Sequence, residues 1–314
     1  MALGPPPKIA IKQGVFQVEV PASTSNLGPG VGCLGLALDL ALKFEAEVGV
    51  SSTTVERPRD PFGEVVPLER DFLVRGFRSA LEGWGIDPPE VAFRVREQPP
   101  IARGLGTSAA AIVGGAALAE ALLWAPVGRR EVARVAFSIE RTTQNVCAAA
   151  LGGLVITAST SGRRLLVRGL TIHPMWRVAV AVPSVVISPE DAHNALRETV
   201  PVSAAIANMG RAMLLVHALL LGDVGPFPEF TEDFLHEPFC SPLIPGWEAV
   251  RKAALDAGAA GVFIGGGGSS VAALVPGDAR VVADRMVEAF AAAGVEAVPL
   301  ALDVGQCGYQ VHRV

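Results

Sequence analysis

The chain has 314 residues, half of them apolar, a net charge of −5, and no basic cluster larger than Arg129-Arg130 or Arg163-Arg164. That balance, with 6% aromatics and a single tyrosine, excludes a nucleic-acid surface and a stacking ladder for single strands. The length favours two domains, and small solutes are the expected partners.

Taken in chain order, residues 1–14 carry Gly4-Pro5-Pro6-Pro7 and predict a loose N-terminal arm. Val15 to Val20 alternates apolar and polar side chains, a strand pattern, and a second strand is expected at 43–50. A helix over 71–83 and a strand over 91–97 precede a glycine-rich loop. Ser108 to Trp124 is alanine-rich and apolar on most faces, which predicts a buried helix. Another helix follows over Glu131 to Glu140.

Short strands are expected at Val155 to Ala158 and Val178 to Val182, with the polar turn Ser159 to Arg164 as the boundary between domains 15–160 and 161–314. Further helices fall at Ser203 to Leu221, Trp247 to Ala257 and Ala279 to Ala293. A strand at Gly261 to Ile264 leads into the run Gly265 to Gly268, and the last strands lie at Ala297 and Tyr309. This order of elements is that of an α+β protein with antiparallel character near each terminus.

The uncharged runs 142–162 and 257–277 reach membrane-spanning length but are broken by glycines, so they read as core strands and loops. No basic start followed by an apolar stretch is present, so neither a secretory signal nor a membrane partner is expected. Cys33, Cys147, Cys240 and Cys307 form no C-x-x-C pair and no H-E-x-x-H occurs, which excludes the common zinc patterns and predicts reduced, buried thiols. A cytoplasmic protein is the expectation, with a homodimer as the default assembly.

The segment Pro100-Ile101-Ala102-Arg103-Gly104-Leu105-Gly106-Thr107-Ser108-Ala109-Ala110-Ala111 joins a glycine loop directly to a helix. The first turn of a helix has N–H groups without internal partners and the positive end of the macrodipole, so phosphate fits there. Thr107 and Ser108 add hydroxyls suited to a helix cap, a phosphate or a metal ion. No Gly-Lys-Ser/Thr follows the glycines, so this is not a P-loop, and phosphate charge must be met by the helix end, a metal ion and its carboxylate. Taken alone, the same pattern also suits a capped loop before a buried helix.

Three glycine-bearing segments, 21–38, 100–111 and 264–271, stand in one order. Pro21-Ala22-Ser23-Thr24-Ser25-Asn26-Leu27-Gly28-Pro29-Gly30 with Leu34 to Leu38, the 100–111 loop, Asn145-Val146 with Leu151-Gly152-Gly153, and Gly265 to Val271 resemble the GHMP small-molecule kinases. The wording is most similar to the homoserine kinase branch of that family. The resemblance implies an N-terminal domain with a left-handed β-α-β crossover followed by a ferredoxin-like C-terminal domain. It further implies ATP with its phosphates on Pro100, Arg103, Gly104, Leu105, Gly106, Thr107, Ser108 and Ala109, and Mg²⁺ held by Ser108 and Glu140. Thr142 and Asn145 would orient the acceptor hydroxyl, with Asn26, Gly32, Gln144, His193, Cys240 and Gly267 about the acceptor.

Departures concentrate on the acceptor side. The family's Phe-Asp after the first glycines is here Val31-Gly32, and its Glu-Gly-His-Pro-Asp-Asn is Glu140-Arg141-Thr142-Thr143-Gln144-Asn145. Its two arginines for a substrate carboxylate are His193 and Cys240, leaving Arg141 and Arg197 as available replacements. Two readings stay open: a kinase for homoserine or a related small alcohol, and a kinase-derived nucleotide-binding or regulatory protein without turnover.

Overall fold

The computed structural model describes residues 10–58, 67–97, 104–140, 142–159, 165–187, 189–195 and 197–313. Two sheets organise the chain. The first has seven strands: β1 (Gly14–Asn26), β2 (Gly30–Val48), β3 (Thr54–Glu56), β4 (Val91–Glu97), β5 (Leu154–Ser159), β6 (Leu165–Leu170) and β11 (Gln310–Arg313). β1 and β2 form a long antiparallel hairpin, with Phe16 opposite Ala46 and Asn26 opposite Gly30. β5 and β6 extend from β2, and β11 returns from the far end of the chain to pair with β1. This sheet therefore draws strands from both sides of the expected boundary at residue 160.

The second sheet has four antiparallel strands in the order β10 (Ala297–Asp303), β7 (Trp176–Pro183), β9 (Val271–Pro276) and β8 (Gly261–Ile264). With helices between β7 and β8 and between β9 and β10, its connectivity is the split β-α-β-β-α-β arrangement of ferredoxin-like domains. In the first sheet β3 and β4 are parallel and joined through α1 (Phe72–Gly83), a β-α-β unit.

Helix starts and faces follow from local chemistry. Asp71 caps α1 by accepting from Leu73 N at 2.9 Å and Val74 N at 3.3 Å. α2 (Thr107–Ala121) is apolar all round and almost wholly buried, as the sequence predicts, and it packs on β1 and α1. Its crossing with α1 depends on missing side chains: a Cβ at Gly115 would lie 2.0 Å from Leu73 O, and one at Gly76 2.2 Å from Ile112 O. α3 (Arg129–Ile139) and α4 (Thr143–Leu151) complete this layer on α2.

In the second half, α5 (Pro189–Ala195), α6 (Val202–Leu221), α7 (Phe227–Phe230) and α8 (Glu237–Cys240) precede a 3₁₀ turn at Ser241–Leu243. There follow α9 (Trp247–Asp256) and α10 (Arg280–Ala292), which cover the four-stranded sheet.

Several expectations change. The strand expected at 43–50 is the end of a 19-residue β2 that also carries 30–42, because its first half is buried without clean alternation. β3, α4, β6, β9 and the short helices α5, α7 and α8 are additional elements; the uncharged runs concealed α4 and β9 by lacking polar punctuation. Trp124 lies beyond α2 and is 72% exposed. Lys12 is tied down rather than loose, its N–H donating to Leu122 O at 2.8 Å. Only Cys147 and Cys240 are buried; Cys33 and Cys307 are exposed, all four free. Residues 1–9 of the arm and 160–164 of the expected boundary turn lie outside the described residues.

Gly115→Ala should destabilise the chain by about 3 kcal/mol, since backbone has to move to admit the methyl group. Chemical denaturation measures this, and a loss below about 0.5 kcal/mol would contradict the close-packed crossing.

Candidate active site

The three glycine segments converge through their backbones. The first is the turn between β1 and β2, where Asn26 and Leu27 adopt positive φ of 74° and 51°. The second is the start of α2, and the third the turn between β8 and β9. Ser23 N donates to Leu105 O at 3.0 Å, joining first to second, and Gly266 N donates to Ser25 O at 3.2 Å, joining first to third. Asn26 adds a side-chain tie, Nδ2 donating to Gly266 O at 2.8 Å while Oδ1 accepts from Gly32 N at 3.3 Å. Gly104 closes the triangle: its φ is +77°, and a Cβ there would sit 2.0 Å from Gly265 O.

α2 begins without a side-chain cap. Its N-cap is Gly106 at φ 66°, and neither Thr107 nor Ser108 takes the capping role that the sequence offered them. A threonine or serine one position inside the helix cannot reach back over the turn it belongs to. The first-turn N–H groups and the dipole are thus left for an anion. Thr107 is buried, Ser108 half-buried, and Leu105 and Ala109 anchor the loop in the core. Pro100 and Arg103 lie outside the described residues.

Beside this loop, α4 presents Asn145, whose Oδ1 accepts from Ser23 Oγ at 3.2 Å, and Thr142 stands at its N-cap. Gln144 is buried because the start of α4 presses on β2; a Cβ at Gly35 would meet Gln144 O at 2.5 Å. Glu140 ends α3, with Oε1 accepting from Thr142 N at 3.2 Å. Among the described residues no cation pairs with Glu140, and no hydrogen bond involves the Ser108 hydroxyl. Thr24, buried under the junction, has a hydroxyl without a hydrogen-bond partner among the described residues.

Of the residues the sequence places about the acceptor, Gly32 has open space beside it, where an added Cβ meets nothing within 4 Å. Gly267 is exposed and faces α5, 3.9 Å from the Ala192 Cβ if it carried one of its own. α5 carries His193, of whose side chain nothing is described, and Arg141 lies outside the described residues. Cys240 is completely buried in the second core beside Ile244 and Trp247, and burial, with Asp233, pushes its thiol up to about 11. It is packing material rather than an exposed pocket wall.

Sequence reasoning missed the support behind the first glycine turn. Asn208 of α6 donates to Pro29 O at 3.0 Å and to Asp233 Oδ1 at 3.1 Å. Asp233 also accepts from the N–H groups of Leu235, His236 and Glu237 at 2.8, 3.0 and 2.7 Å. A single amide inside a largely apolar helix was the available signal. Burial pushes the neighbouring Glu237 up to about 7 and lowers His236, with Asp233 opposing the latter shift.

The GHMP kinases N terminal domain family matches residues 71–153, and the GHMP kinases C terminal family residues 215–292. The chain belongs to the GHMP kinase family. Among curated relatives, the homoserine kinase of Gloeobacter violaceus is 43% identical over 260 residues, covering 82% of this chain and 86% of the relative. That of a Synechococcus species is 38% identical over 300 residues, covering 92% and 94%. Among solved structures, a homoserine kinase from Cytophaga hutchinsonii superposes with a TM-score of 0.86 at 27% identity, covering 96% of this chain and 98% of that one. The site lies where that family's two halves meet in this chain: the α2 loop from one, the β8–β9 turn from the other.

Gly104→Ala should weaken ATP binding by at least about tenfold, because the methyl group drives the loop off the β8–β9 turn and the first-turn N–H groups with it. Calorimetric titration checks this; unchanged affinity would contradict the close contact. Glu237 has the opposite sign to an ordinary paired carboxylate. Its raised pKa favours the proton in the folded state, so its stabilisation is complete below the ordinary 4.5 and is lost as pH rises through about 7. Glu237→Gln should remove that loss, so its stability relative to the parent chain grows between pH 4.5 and 7 in thermal unfolding.

Proposed function

We propose that this chain transfers the γ-phosphoryl group of ATP to the side-chain hydroxyl of L-homoserine, giving ADP and O-phospho-L-homoserine. The observation that carries the reading is the uncapped start of α2, held between the β1–β2 and β8–β9 glycine turns. Relatives named homoserine kinase, 43% and 38% identical, supply the acceptor. The N–H groups that open α2 receive the phosphates, whose charge the helix dipole offsets without a lysine.

The donor set near the loop suits magnesium, which takes hard oxygens and leaves positions for phosphate and water. Ser108 and Glu140 are the residues that would hold it, since neither oxygen is claimed by a cation among the described residues. When bound, magnesium neutralises charge developing on the transferred group. The protein's own part is positioning. Asn145, fixed by Ser23, and Thr142 orient the hydroxyl; its oxygen forms a bond to the γ-phosphorus as the bond to the β–γ bridging oxygen breaks, and the proton passes to phosphate or solvent.

Asn26, Gly32, Gln144 and Gly267 border the acceptor in this reading. Arg197 supplies the cation for its carboxylate: the guanidinium lies 5.2 Å from the Phe239 ring centroid, one residue from Cys240.

ADP release dependent on homoserine is the direct test; nucleotide binding with no turnover on homoserine would favour the regulatory reading instead. Ser108→Ala and Glu140→Ala should each lower kcat by about a hundredfold or more with Mg·ATP. Arg197→Ala should raise the KM for homoserine and leave that for ATP unchanged. Near-parental rates in the first pair would overturn the metal assignment.

A further inference from the structure

Asn208 lies inside α6 and is 2% exposed, so every polar atom of its amide needs a partner. All of them have one. Nδ2 donates to Pro29 O at 3.0 Å and to Asp233 Oδ1 at 3.1 Å, while Oδ1 accepts from Phe234 N at 2.8 Å. These partners leave the amide a single orientation, since a flipped one would turn its carbonyl on Pro29 O and the Asp233 carboxylate.

The partners belong to two different segments. Pro29 is in the β1–β2 turn, between Asn26 and the Gly32 N–H that the Asn26 amide holds. Asp233 opens the stretch 233–244, which runs through α8 and the 3₁₀ turn. The chain before it also touches the turn, because a Cβ at Gly28 would lie 2.2 Å from Thr231 O. Asp233 is 6% exposed, and besides Asn208 it accepts only from the backbone N–H groups of Leu235, His236 and Glu237 among the described residues. Asn208 is therefore the one side chain among them that donates to the buried carboxylate at the start of α8. At its far end the stretch reaches the β8–β9 turn, with the Ile244 side chain 3.9 Å from a would-be Cβ at Gly268. Between the two ends lies Phe239, whose ring carries the Arg197 guanidinium. The phosphate loop is anchored elsewhere, by Ser23 N on Leu105 O and by Gly104 against Gly265 O, neither of them through α6.

We propose, on the reading that homoserine is the acceptor, that Asn208 is a positioning residue for it. One amide sets the β1–β2 turn, which carries Asn26 and Gly32, in register with the 233–244 stretch, which seats Arg197 on Phe239. Acceptor alignment depends on that register, because a misplacement of about 1 Å, even from a residue far from the chemistry, can cost ~100-fold in rate. Arg211, three residues further along α6, donates to Glu229 O and to the Glu232 carboxylate, both at 3.0 Å. These bonds keep α6 seated when Asn208 is changed, so the effect of a substitution stays local.

Steady-state kinetics of the full chain with homoserine and Mg·ATP test this on Asn208→Ala and Asn208→Asp. Alanine removes all three hydrogen bonds; aspartate keeps the shape and the bond from Phe234 N but sets a second carboxylate against Asp233. Each should raise the KM for homoserine about tenfold and leave that for ATP within about twofold. A KM does not depend on the fraction of chains folded, so lost stability alone would lower the apparent kcat and move neither KM. Hydrogen exchange of the unliganded chain gives a second readout. In both variants the amides of 26–32 and 233–240 should exchange about tenfold faster than in the parent chain, and those of 104–110 at the parental rate. Should Asn208→Asp fail to fold, Asn208→Ser, which keeps one donor and adds no charge, takes its place with the same expected sign. A parent chain without homoserine-dependent ADP release overturns the acceptor reading and this role together. A parent chain that turns homoserine over, with variants that keep its KM or its exchange at 26–32, overturns the role of Asn208 alone.

Discussion

Close approach at glycines, where no Cβ fits, is the constraint on which the candidate site depends. Gly104 sits against the Gly265 carbonyl at a separation that no Cβ can share, and Gly106 likewise lies against the hydroxyl and carbonyl of Ser23. Because the α2 loop and the β8–β9 turn come from opposite halves of the chain, this contact locks the two sheets into the relation that the site requires. The hydrogen bonds of Ser23, Ser25 and Asn26 then fix its geometry at the one place where a phosphate has to be met by the main chain.

In the proposed function, the arrangement explains how phosphates are met without a lysine at the start of α2. A side-chain cap on α2 would compete with the ligand for the first-turn N–H groups, and the structure has glycine at that position instead. Rigidity comes from behind, since α2 is buried on all faces and fixed against α1 by Gly76 and Gly115. A helix that cannot shift holds its dipole still, and a fixed dipole needs little reorganisation when charge moves. The side proposed to take the acceptor is built more loosely, with Gly32 open and Gly267 exposed.

Much of this was legible in the residues. An alanine-rich stretch apolar on most faces located α2, alternation located β1 and β4, and the order of three glycine segments singled out the three turns that the structure brings together. What stayed hidden is non-local or unpunctuated. α4 and β9 lie inside uncharged runs, where periodicity cannot separate a buried helix from a buried strand. Asn208 meets Pro29 and Asp233 only through tertiary packing, and Cys240 looked like a pocket residue until the second core closed around it. The helix α6 was legible as an apolar stretch, yet only the structure turns Val202, Ile206, Met209 and Met213 to solvent.

The central claim is that three glycine turns and one uncapped helix make a single phosphate cradle. A crystal structure of the full chain with Mg·ADP tests it most directly. The account places the nucleotide's phosphates within hydrogen-bonding distance of the main-chain N–H groups that open α2, between the β1–β2 and β8–β9 turns. Phosphates bound elsewhere, with those N–H groups left to water, would contradict it.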